Sequence, residues 1–158
     1  MKKAIYMIAF FVLSLLFVSA HTDTVMVAER GFKAPPLKLD SEKGSISLSQ
    51  LKGKYVLVNF WTSVDATSRI VTADFDRLLG QSDKVSLLSV NLDADECLFR
   101  EIVHNDSLNA NTQYHADESA AITIYADYLP GGRMCSYLID PQGFIVAINP
   151  SLQFISSL

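Results

Sequence analysis

Cys97, Cys135, His21, His104 and His115 are the side chains with the widest chemical range in this chain, which contains only those two cysteines and three histidines. A thiol acts as nucleophile or redox centre through its thiolate, so it needs a neighbour that depresses its pKa. Arg133, close before Cys135, is the only basic residue that sequence places to do so. The histidines carry no sequence signature of an activating partner. Asn91-Leu92-Asp93-Ala94-Asp95-Glu96 has the acidic spacing of a calcium loop, but its sixth position is Glu96 instead of glycine and no Glu stands at the twelfth. Helix capping and first-turn charge account better for these acids, and neither metal nor cofactor is expected.

The compartment decides what two cysteines can do. Lys2 and Lys3 precede an apolar run from Ala4 to Val18, and Val18-Ser19-Ala20 supplies small residues for cleavage, so residues 1–20 read as a bacterial-type signal peptide. The run is shorter than the roughly 20 residues that span a bilayer. No cysteine follows it to carry a lipid. The expected product is periplasmic or secreted and free of the membrane after cleavage, with a leader over 21–31 and one domain over 32–158. In an oxidising compartment Cys97 and Cys135 allow one disulfide at most. The net charge of −4 and the lack of a Lys/Arg cluster beyond the signal exclude nucleic acid and anionic membranes as partners.

Several elements position these groups. After Ala34-Pro35-Pro36, Leu37, Leu39, Ile46 and Leu48 alternate with polar residues around Glu42-Lys43-Gly44, which predicts a small hairpin. Ser49 to Gly53 makes a turn, and Tyr55-Val56-Leu57-Val58-Asn59-Phe60-Trp61 reads as a buried central strand. Val71, Phe75, Leu78 and Leu79 recur at helical spacing over 66–81, with Gly80 as the C-cap. A second buried strand over 85–92 completes a β-α-β unit, whose right-handed crossover makes the strands parallel. A short helix over 95–104, an exposed polar loop over 105–117 and a helix over 119–128 follow. Strands over 134–140 and 144–148 are joined by Pro141-Gln142-Gly143 as an antiparallel hairpin. Ser151 to Leu158 has room for about two helical turns.

This order is the thioredoxin arrangement, an α/β fold with a central mixed sheet flanked by helices, here with an N-terminal β-hairpin. Ala34-Pro35 and the run from Leu48 to Trp61 resemble the leading segment and first core strand of extracytoplasmic TlpA/ResA-type thioredoxins, which are related to AhpC/TSA proteins. Tyr128, Gly132, Tyr137-Leu138-Ile139-Asp140 and Gly143 resemble a second signature of that family. The resemblance frames residues 32 to about 149, the middle matching in pattern only.

That family follows its strand-end Trp with small residues and Cys-Pro-Pro-Cys-Arg. The matching stretch here is Trp61-Thr62-Ser63-Val64-Asp65-Ala66-Thr67-Ser68-Arg69, so the resemblance puts Asp65 and Ser68 at the two cysteine positions. Neither a carboxylate nor a hydroxyl forms a mixed disulfide. At a helix start Asp65 is expected to act as N-cap, stabilising by about 0.5 to 2 kcal/mol, and Ser68 to bond a backbone carbonyl. The family also places a cis-proline where this chain has Met134. A cis bond before a non-proline residue costs about 2.5 to 4 kcal/mol, so Arg133–Met134 is predicted trans.

Two functions follow as expectations. The first is a redox-inactive module that offers the degenerate groove of Trp61, Val64, Asp65, Arg133 and Met134 to an extracytoplasmic protein or peptide. Phe60, Trp61, Phe75 and Tyr137 fall on core elements, and an exposed Trp61 would suit such a partner. The second is an atypical thiol-disulfide oxidoreductase working through Cys135, directly after the cis-proline position, and Cys97, beyond the second core strand. Against that redox centre stand a structural disulfide or a pair of inert thiols. The short C-terminal tail also fits a decaying paralogue without specific activity.

Overall fold

The structure, a computed structural model, describes residues 26–41 and 44–158. The expected signal peptide, the start of the leader and Glu42-Lys43 lie outside the described residues. A five-stranded sheet forms the centre, its strands in the order β5 (Gln113–His115), β4 (Val85–Asn91), β3 (Tyr55–Trp61), β6 (Ser136–Ile139) and β7 (Ile145–Ile148), beside a two-stranded sheet of β1 (Lys38–Ser41) and β2 (Gly44–Ser47). β3 runs parallel to β4, with Val58 opposite Leu88, and antiparallel to β6, with Val58 opposite Tyr137. β7 pairs antiparallel with β6.

Side chains alternate across a strand, and both faces of this sheet are covered, which is why β3 is almost wholly apolar. Val56, Val58 and Phe60 enter one core with Leu88, Val90, Ile124, Tyr128 and Leu39. Leu57 enters the other with Phe75, Leu79, Leu138 and Ile155. The second core lies under α1 (Ala66–Leu79), the parallel crossover between β3 and β4, and α4 (Leu152–Ser156). The first lies under α3 (Glu118–Asp127) and the N-terminal hairpin. There Phe60, Tyr128 and Tyr137 pack ring to ring, with centroids 5.2 to 6.3 Å apart. Tyr128 donates its hydroxyl to the Pro35 carbonyl and Tyr137 to the Tyr128 carbonyl, so neither phenol is left unpaired in the core.

Gly80 ends α1 through a close approach. A Cβ there would sit 2.7 Å from the Asp76 carbonyl oxygen, to which the Gly80 N–H donates at 2.8 Å. The expected turn at Pro141-Gln142-Gly143 forms with Gly143 at φ +95°, and Asp140 Oδ1 accepts both the Gln142 and the Phe144 N–H at 2.9 Å.

Two segments depart from expectation. Leu48 leaves the hairpin and opens a 3₁₀ turn, Leu48–Leu51, where the Ser47 N–H donates to Gln50 Oε1 at 2.7 Å. The polar stretch over 105–117 is not loop throughout. Gln113–His115 forms β5, parallel to β4, because the open edge of β4 supplies backbone partners that no apolar pattern announced. α2 (Glu96–Asn105) leads into it. Among the described residues no helix is long and apolar enough to cross a membrane.

Candidate functional site

The site lies where β3 hands over to α1. A helix start exposes backbone N–H groups and the positive end of the dipole. Here Asp65 fills that role as N-cap: in extended conformation at φ −94°, its Oδ1 accepts from the Thr67 N–H at 2.9 Å and the Ser68 N–H at 3.3 Å. Ser68 is 6% exposed. Its hydroxyl donates to the Asp65 carbonyl at 3.0 Å and accepts the Thr62 N–H at 3.3 Å. That proton rests on backbone, and among the described residues the hydroxyl makes no hydrogen bond to a side chain that could act as base and make Ser68 a nucleophile.

Across from this helix start, the Arg133–Met134 bond is trans, as the non-proline residue requires. Met134 is half-buried and Arg133 exposed. Met134, Cys135, Asp65, Ser68, Phe60 and Leu152 line a cavity of about 390 Å³. Val64 stands at the loop tip, 87% exposed. Trp61 does not line a groove. It is 0% exposed, with its ring 6.0 Å from that of Phe99, so it presents no surface to a partner. The period-two alternation of β3 turns it inward with Leu57 and Asn59. Its Nε1–H has no hydrogen-bond partner among the described residues.

Two polar clusters beneath the site escaped sequence reasoning. Asn59 donates to Thr72 Oγ1 at 2.8 Å and Ser89 Oγ at 3.3 Å, and Ser136 Oγ donates to Asn59 Oδ1 at 2.9 Å. The cluster pins β3, β4, β6 and α1 together at the cavity floor. The signal was a lone Asn inside an apolar strand, yet its partners come from distant segments. Asp93 accepts the Ser63 N–H at 3.0 Å, the Ser63 hydroxyl and Asn91 Nδ2–H at 2.8 Å, anchoring the 62–64 loop to the end of β4. Asp95 caps α2 through the Cys97 N–H at 2.8 Å, and Glu96 pairs with Arg100 at 2.9 Å, which holds the Glu96 carboxyl below its usual pKa. Among the described residues no group of three or more His, Cys, Asp and Glu side chains is placed to hold a metal ion.

The thiols are not brought together. Both are free, Cys97 exposed in the first turn of α2 and Cys135 half-buried before β6. Strand β3 stands between β4 and β6. Cys97 lies in a helix beyond β4 and Cys135 just before β6, and the two are not within disulfide distance. Burial pushes the Cys135 thiol pKa up, outweighing the lowering effects of Tyr137 and Arg133.

With this geometry in view, comparison with known proteins gives one consistent answer. The AhpC/TSA family model matches residues 31–148. A thioredoxin-like protein from Parabacteroides distasonis superposes with a TM-score of 0.70 at 24% identity, covering 84% of this chain and 96% of that one. A thiol:disulfide interchange protein from Bacteroides sp. gives 0.71 at 24%, covering 84% and 91%. The thioredoxin domain of a Bacteroides vulgatus thiol-disulfide oxidoreductase gives 0.71 at 24%, covering 82% and 96%. At these identities the likeness establishes the thioredoxin-like fold. No curated protein matches the chain.

Proposed function

The chain belongs to the AhpC/TSA family, and on that premise we propose that it is an exported, redox-inactive thioredoxin-fold module whose cavity at the start of α1 binds a protein or peptide partner. One observation carries this reading. The helix terminus that would activate a thiolate is occupied by the Asp65 carboxylate, bonded to the Thr67 and Ser68 N–H groups. Disulfide exchange requires an attacking thiolate and a second thiol in reach. The cavity beside Asp65 keeps an apolar wall of Phe60, Phe75, Met134 and Leu152 and a polar floor at Asn59, a combination suited to a side chain with its flanking backbone. Against turnover through Cys135 and Cys97, the competing reading, stand the two thiols being free and apart, and the burial that raises the Cys135 thiol pKa.

The test counts free thiols in the purified protein with and without reductant. It then measures insulin disulfide reduction by wild type, Cys97→Ser and Cys135→Ser, and follows amide NMR shifts during titration with a pooled peptide library. Two titrating thiols, no turnover, and shifts at Val64 to Arg69 and Arg133 to Ser136 are expected. Cysteine-dependent turnover, or no shift at these amides, overturns the proposal.

A further inference from the structure

A larger cavity among the described residues, about 680 Å³, opens at the opposite end of the sheet, beside β5. An edge strand presents a row of unpaired backbone donors and acceptors, and proteins cover such edges or blunt them with Pro, Lys or a bulge. The two edges of this sheet differ. At β7 the N-terminal segment supplies cover: the Gly31 N–H donates to the Ile145 carbonyl at 2.8 Å, and the Ile145 N–H donates to the Phe32 carbonyl at 2.9 Å. At β5 no described strand pairs with the outer side. Its residues are Gln113, Tyr114 and His115, without Pro or Lys.

The register fixes which groups face outward. The Ser89 N–H donates to the Thr112 carbonyl at 2.9 Å and the Ala116 N–H to the Asn91 carbonyl at 3.0 Å, so Thr112 and Ala116 bond inward to β4. In a parallel ladder alternate residues bond to the same neighbour, which leaves the backbone N–H and C=O of Gln113 and His115 pointing away from β4, into the cleft. α2 bounds the cleft on one side and the hairpin on the other, through Phe99, Val103 and Asp40. Phe99 packs on the His115 ring, centroids 5.6 Å apart, and His115 is held by a hydrogen bond between its Nε2 and the Asp93 carbonyl at 2.8 Å. The lining carries three carboxylates, Asp40, Glu96 and Asp117. Arg100 pairs with Glu96 at 2.9 Å and Lys38 approaches Asp40 at 3.4 Å, while Asp117 has no cationic partner among the described residues and accepts the Ala120 N–H at 2.7 Å, so the cleft keeps a net negative charge.

We infer that this cleft is a second binding site, separate from the cavity at α1, which takes an extended peptide with basic side chains by adding it as a strand along β5. The outward groups of Gln113 and His115 recognise the backbone of the incoming strand, the aromatic walls take alternate side chains, and the carboxylates favour lysine or arginine among them. The site owes nothing to the α1 cavity and stands or falls separately.

Fluorescence anisotropy of the purified protein with a short fluorescein-labelled peptide of alternating lysine and valine tests it. Two N-methylated versions of the peptide block its backbone donors in one frame or the other, and a third version replaces lysine by glutamate. The parent peptide is expected to bind, methylation in one frame alone to weaken binding by about tenfold or more, and the glutamate version to bind more weakly by a similar factor, as loss of strand hydrogen bonds and charge complementarity demands. Amide hydrogen exchange should slow at Gln113 and His115. Absence of parent binding, equal binding of both methylated peptides, equal binding of the glutamate peptide, or protection at Val64 to Arg69 in place of Gln113 and His115 overturns the inference.

Discussion

Replacing Asp65 by alanine is the most direct probe of the helix start, since Asp65 supplies both an acceptor and a charge there. Its Oδ1 receives two backbone donors, Thr67 N–H at 2.9 Å and Ser68 N–H at 3.3 Å, which no other described group replaces in Asp65→Ala. Loss of an Asp N-cap costs about 0.5 to 2 kcal/mol, and the charge at the dipole's positive end contributes about 0.3 to 1 kcal/mol of its own. The two effects overlap, so Asp65→Ala is expected to destabilise by about 1 to 2 kcal/mol, or roughly 4 to 8 °C in Tm for a domain of this size. Asp65→Asn keeps the acceptor and loses the charge, so it should cost only the smaller share, about 0.3 to 1 kcal/mol. Urea unfolding followed by far-ultraviolet circular dichroism and by the fluorescence of buried Trp61 measures both variants, with m unchanged. A cost below about 0.3 kcal/mol for Asp65→Ala, or an equal cost for Asp65→Asn, would refute the capping argument.

Asn59→Ala removes three buried hydrogen bonds, to Thr72, Ser89 and Ser136, and should cost about 3 kcal/mol by chemical denaturation; a loss under about 1 kcal/mol would mean that the cluster is not coupled. Arg69 binds Asp106 through both Nε (3.1 Å) and Nη2 (2.7 Å), tying α1 to the end of α2, so Arg69→Lys should recover only part of the stability lost in Arg69→Ala, and a double-mutant cycle with Asp106→Asn should show positive coupling that shrinks in high salt. Burial raises the pKa of Tyr128 and Tyr137. The folded state therefore keeps protons that the unfolded chain releases near the ordinary tyrosine pKa of about 10, so stability is full below that pH and falls as pH rises above it. Urea midpoints measured across the alkaline range should drop less steeply in Tyr128→Phe and Tyr137→Phe, whatever their offset at neutral pH, and an unaltered slope in both would contradict the assignment.

How much of this was legible in the chain can be judged element by element. The run from Tyr55 to Trp61 demanded a strand covered on both faces, and the helical spacing of Phe75 and Leu79 demanded a helix over one of them. Asp65 at the start of that helix was legible as a cap because capping is local: the donors it satisfies lie two and three residues away. Turn chemistry likewise marked Pro141-Gln142-Gly143. Sequence left Trp61 between core and groove, because an aromatic at a strand end serves either, and packing against Phe99 of α2 decided for the core.

What sequence by itself determined, then, is the part of the protein governed by neighbours within a few residues: strand and helix types, the cap at Asp65, and the absence of any thiol near it in the chain. Only the tertiary structure decided what depends on strand order. It kept Cys97 and Cys135 apart as free thiols, joined Asn59 to Thr72, Ser89 and Ser136, and drew Gln113–His115 from a polar stretch into the sheet. The physical reason is the same in each case. Backbone edges and buried polar groups must find partners, and those partners come from segments far apart in sequence, which no local pattern can name.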